Sequence, residues 1–106
     1  MTTATAELPG ETTVSERAVR RIAAEAAREV TGVGGRAEVE ATVSGDRTTL
    51  EVRLPVRYPE PVGRVTEDCR DHLIRRTEEL TGLGVSRVDI VVSAMVRPAA
   101  TTGRVR

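Results

Sequence analysis

The sequence predicts an α+β fold: a two-layer sandwich in the order helix, strand, strand, helix, strand, with both helices on one face of a three-stranded sheet. Three observations carry this. Apolar residues recur at helical spacing in two segments, 14–30 and 62–81, and alternate at strand spacing in three others. A glycine backed by an apolar residue, Gly32-Val33 and Gly82-Leu83, closes each helical segment. The 106 residues leave room for one domain, 14–97. Segments 1–13 and 98–106, rich in small polar residues and without an apolar period, read as flexible ends.

The first helix has Val19, Ile22, Ala23, Ala26, Ala27 and Val30 on its apolar stripe. Ser15 is its natural N-cap and Val14 a hydrophobic staple onto Val19, with Thr13 and Glu16 offering a competing capping box. Arg17, Arg20, Arg21, Glu25, Arg28 and Glu29 form its solvated face. Ala37, Val39, Ala41 and Val43 then alternate with Glu38, Glu40 and Thr42, and Leu50, Val52, Leu54, Val56 and Tyr58 alternate with polar partners after a turn at 44–47. This is an antiparallel hairpin with one polar face. Pro55 has no N–H for a ladder, which places the second strand at an edge or in an overhang beyond its partner.

Pro61 suits the first turn of the second helix, whose stripe reads Val62, Val65, Cys69, Leu73, Arg76 and Leu80. In the last strand, Val88, Ile90, Val92, Ala94 and Val96 share one face, and Asp89, Val91, Ser93 and Met95 the other. VTGVG at 30–34 and LTGLG at 80–84 echo each other because two helices need the same C-cap.

Composition narrows the function. Sixteen basic and sixteen acidic side chains cancel, so the overall attraction to polyanions typical of nucleic-acid binders is missing. Tyr58 is the sole aromatic residue, which disfavours sites that stack bases or sugars. Cys69 is the sole cysteine, which leaves no internal disulfide. The longest apolar stretch, 90–96, is interrupted by Ser93 and far short of the ~20 residues that span a bilayer. No secretory signal pattern precedes the first helix, so a cytoplasmic location without direct membrane insertion is expected.

Reactive side chains cluster only at Asp68, Cys69, Asp71 and His72. Cys69 and His72 on one regular helix have no third group to hold the base and no oxyanion site, and the set is too small for a metal centre. No P-loop, H-E-x-x-H, G-x-S-x-G or paired-cysteine motif occurs, so no catalytic, cofactor-binding or metal-binding residues are assigned and the chain reads as a non-enzyme. Gly32-Val33-Gly34-Gly35 matches the G-x-x-G loop of KH modules, which makes a small KH-like nucleic-acid-binding module the alternative reading, although here the loop joins a helix to a strand. The open sheet face carries Arg53, Arg57 and Arg87 among Glu38, Glu40, Glu51 and Asp89, with Val91 and Met95 as an apolar patch. Arg53, Arg57, Val91 and Met95 are the candidate partner-binding residues.

Segments 12–33 (TTVSERAVRRIAAEAAREVTGV), 50–83 (LEVRLPVRYPEPVGRVTEDCRDHLIRRTEELTGL) and 85–96 (VSRVDIVVSAMV) together resemble the alkaline shock proteins, envelope stress response proteins of Gram-positive bacteria. The resemblance implies a non-enzymatic adaptor or scaffold in cell-wall homeostasis. It would lie at the inner face of the membrane through a small membrane-anchored protein, with a homo-oligomer as a further expected partner; charge balance and the lack of aromatics, separately, disfavour nucleic acid. Tyr58-Pro59-Glu60-Pro61 departs from the Tyr-Gly turn of many members, and the long charged tails of some are missing.

Overall fold

The computed structural model describes residues 14–97; the two flexible ends expected at 1–13 and 98–106 lie outside the described residues. The order is α1 (Glu16–Arg28), β1 (Glu38–Ser44), β2 (Arg47–Arg57), α2 (Val62–Thr81) and β3 (Gly84–Val96). This is the α+β order that the hydrophobic periods predict.

Ser15 caps α1, its Oγ accepting from the Ala18 N–H at 3.0 Å. The Glu16 carboxylate accepts the Val43 N–H of β1 at 3.1 Å, and Thr13, its partner in the competing capping box, lies outside the described residues. The buried stripe of α1 is Val19, Ala23, Ala26 and Ala27, and three alanines in it let the helix lie close against its neighbours. Gly32 adopts φ +96°, and a Cβ there would stand 2.6 Å from Val65 Cγ2, so only glycine lets the α1–β1 connection pass over α2. Gly82 closes α2 in the left-handed conformation, donating its N–H to the Glu78 carbonyl at 2.9 Å.

On α2 the buried residues are Val65, Cys69, Leu73 and Thr77, a strict four-residue row. Val62 and Leu80, expected on the stripe, are exposed. Leu80 lies beside α1, bordering a shallow pocket with Arg21, Ile22 and Glu25, and stays exposed because it falls off the buried four-residue row. Thr77 takes the place expected for Arg76, which faces Glu79 and Glu29.

The sheet order is β1-β2-β3, with β1–β2 antiparallel and β2–β3 parallel, as a crossover through α2 allows. β2 is therefore central and not an edge. Its ladder with β1 ends at Arg53, so Pro55 sits in the overhang, opposite a register shift in β3. Leu50, Val52, Leu54 and Val56 point from β2 into the core against both helices, all fully buried or nearly so. At the hairpin, Gly45 and Asp46 form a two-residue turn with Gly45 at φ +61°.

Candidate protein-docking face

Pairing fixes which side chains share the face away from the helices. Because directly paired residues point the same way, the outer rows are Thr42-Thr49-Arg87, Glu40-Glu51-Asp89 and Glu38-Arg53-Val91, with Pro55-Ala94 and Arg57-Val96 beyond them. Val91, midway along the edge strand β3, is 61 % exposed on this face. Arg53 reaches Glu38 at 3.5 Å and Arg87 reaches Asp89 at 2.9 Å, both as solvent-exposed pairs worth little to stability.

Three of the four candidate residues, Arg53, Arg57 and Val91, lie on this face as expected. Met95 does not. Between Leu54 and Pro55 the β2–β3 register shifts: Leu54 pairs with Val92 and Pro55 with Ala94, which leaves Ser93 as an extra residue in β3. One extra residue reverses the alternation beyond it. Met95 thus pairs with the core residue Val56 and turns to the helix side, where it stays 43 % exposed, while Ala94 and Val96 turn outward. Val96 stands close to Gly34, whose Cβ would lie 3.2 Å from its own. The outer apolar strip is therefore Val91, Ala94 and Val96 alongside Pro55. A signal for this was present in the sequence: a proline inside a strand marks a bulge or an overhang, and Pro55 has both.

The reactive cluster does not assemble. Cys69 is fully buried against the core, and burial pushes its thiol up to about 11, so it is not a thiolate at neutral pH. His72 turns the other way, its Nε2 lying 2.6 Å from Glu29 Oε1 near the end of α1. This hydrogen bond holds the Glu29 carboxyl below its ordinary value, with Arg76 adding to the effect and desolvation opposing it. The contact ties the two helices together; Glu29 and Arg76 border a shallow pocket between them whose lining holds no Cys, Ser or Thr nucleophile. Among the described residues no group of three or more His, Cys, Asp or Glu side chains is placed to hold a metal ion.

The Gly32–Gly35 loop is not a phosphate cradle. Val33 bridges Val56, the Gly34 N–H donates to the Pro55 carbonyl at 2.8 Å, and the Gly32 carbonyl accepts from the Arg57 N–H at 2.7 Å. The loop extends the sheet along the β2 overhang, so the N–H of Gly34, which a G-x-x-G loop would aim at phosphate, is already bonded. This removes the structural basis of the KH-like alternative.

No family model and no curated protein matches the chain. Among solved structures it is similar to MamM CTD. The zinc form of one variant is 19 % identical, with 76 % of this chain and 86 % of that one covered and a TM-score of 0.55. The copper form of another is 18 % identical, covering 76 % and 98 % with a TM-score of 0.57, and a nickel form gives 18 %, 76 %, 99 % and 0.57. At this identity the likeness is one of fold.

These findings overturn the resemblance to the alkaline shock proteins, and the envelope stress role falls with it. The physical reason lies in the residues that carried it. An alanine-rich amphipathic helix, a Thr-Gly C-cap and an alternating strand are what any α-β-β-α-β sandwich demands, so they specify the fold and no family within it. No helix among the described residues is long and apolar enough to cross a membrane.

Proposed function

We propose that this chain is a non-catalytic interaction domain that docks a protein partner on its outer sheet face. The observation that carries this is the 61 % exposure of Val91 on the edge strand β3, on a face that neither helix covers, followed along the strand by the outward-turned Ala94 and Val96. Arg53 and Arg57 border that strip, and arginine is enriched at protein interfaces, whose usual anatomy is an apolar centre within a polar rim. The absence of an assembled nucleophile pair around Cys69 and His72 supports the non-catalytic part of the reading.

The test is Val91→Asp combined with Val96→Asp. Val91 is exposed and Val96 half-buried at the end of an edge strand, so circular dichroism and the melting temperature stay close to wild type. Burying two unpaired carboxylates in a contact costs several kcal/mol, about 2–5 for each. Partners captured by the wild-type domain, from cytosol or from detergent-solubilised membranes, are expected to be lost in the variant. The second arm reads out a membrane-anchored partner, with the domain peripheral at the inner face. A folded variant that keeps every association sinks the proposal.

A further inference from the structure

An open groove of about 1050 Å³ runs from the outward side of α1, over the free edge of β1, onto the outer sheet face. Its two walls carry opposite charge. On one side stand Arg17, Arg20, Arg21 and Arg28 of α1, joined by Arg36 from the following loop, with Glu25 the one carboxylate among them. The other is the row Glu40-Glu51-Asp89, beside the paired Glu38 and Arg53. Among the described residues, none of those five arginines forms an ion pair within 4.0 Å, and neither do Glu40 and Glu51. The walls face the same space without satisfying each other.

We infer that the occupant of this groove is a second copy of the chain, related by a two-fold axis that lays the arginine wall of each protomer over the acidic row of the other. This deepens the docking reading and rests on it. A two-fold contact is self-complementary by construction, so a surface carrying both signs on opposite walls matches itself when rotated. An acidic segment would be repelled by the carboxylate row, and a basic one by α1. The row also has a cost in the isolated chain: Glu40 lies directly opposite Glu51, and Glu51 opposite Asp89, and like charges in facing positions on neighbouring strands destabilise a sheet. Guanidinium groups from a second copy offset that repulsion. Val91 lines the same groove, which places the most exposed apolar side chain of the docking face inside the contact.

The experiment is sedimentation equilibrium of the full chain at low and high salt, with two charge-reversed variants, Arg17→Glu/Arg21→Glu and Glu40→Arg/Glu51→Arg. The wild type is expected to dimerise and to weaken as salt rises, since exposed charges are screened beyond ~10 Å at 0.1 M. Each variant alone, folded by circular dichroism, is expected to dimerise at least about tenfold more weakly. An equal mixture of the two regains the dimer, because both contacts become opposite in sign again. A wild type that stays monomeric up to about 1 mM overturns the inference. So does a dimer that neither charge reversal weakens. If that dimer is lost in Val91→Asp, the docking face stands and only the charge-matched seat falls; if it survives there too, self-association lies elsewhere and the docking face is judged by partner capture alone.

Discussion

Replacing Thr77 with valine stabilises the domain. Thr77 is fully buried on α2, and its hydroxyl has no hydrogen-bond partner among the described residues. The neighbouring bond from Thr81 Oγ1, at 2.6 Å, goes to the Thr77 backbone carbonyl and survives the change. Valine keeps the β-branch and has nearly the same helix propensity, so the perturbation reduces to removing one buried hydroxyl. An unsatisfied group of this kind costs ~1–3 kcal/mol. A hydroxyl inside a helix can lean toward the preceding turn, which puts the expected gain at the low end, about 1 kcal/mol. For a domain of this size that raises the melting temperature by about 4–8 °C. Urea denaturation with an unchanged slope is the assay, because the buried surface is the same. Thr77→Ala is the control: it removes the same hydroxyl but also a methyl group, and the resulting void cancels or reverses the gain. A valine variant that loses about 0.5 kcal/mol or more refutes the reasoning, since the hydroxyl would then have to be satisfied.

At Gly32, alanine meets both the positive φ and the 2.6 Å approach to Val65, so Gly32→Ala is expected to cost about 3 kcal/mol. Gly45→Ala, at φ +61° with nothing within 4 Å, meets the backbone penalty alone, about 1–2 kcal/mol. Equal losses in the two thermal melts would mean that the Val65 contact does not matter. At low pH the Glu29–His72 bond breaks. Because the carboxyl is held below 4.5 in the folded chain, its stabilising contribution is present above that value and disappears as pH falls through the lowered one. Glu29→Gln is therefore less stable than wild type near neutrality, with the difference shrinking in melts below pH 4.5; a difference that does not change with pH contradicts the assignment.

The elements were legible because each carries its own local instructions. Ser15 caps α1, Gly82 caps α2, and alternation in 37–43 and 50–56 fixes which side of the hairpin meets the helices. What eluded local reading depends on relations between elements. No pattern within 84–96 says that β3 joins β2 in parallel, and this pairing makes β2 central. The row on α2 runs through Thr77 instead of Leu80, because spacings of three and four allow either and the rotation of α2 against its neighbours selects one. Arg53, Arg57 and Val91 were placed correctly since alternation holds up to Ser93, whereas Met95 was misplaced by one extra residue. Family assignment failed for the opposite reason. Its supporting segments carried strong local signals, and those signals encode a sandwich that unrelated chains also build.

The register shifts decide how the outer face is divided. Both fall where β3 has an extra serine, Ser86 between the partners of Thr48 and Thr49, and Ser93 between those of Leu54 and Pro55. Between them, alternation keeps Asp89 and Val91 outward, next to the carboxylates of β1 and β2. After Ser93, the residues that would have continued the core, Ala94 and Val96, are turned outward, while Met95 is turned to the helix side and remains exposed there. Had alternation run on unbroken, the face would hold two separate apolar side chains, Val91 and Met95, with Ser93 between them. The shift replaces this with a strip at one end of the face and leaves the charges at the other, and Val91 lies where the two meet. A partner that engages the acidic row therefore also covers Val91, so charge reversal and Val91→Asp report on one contact from its two sides.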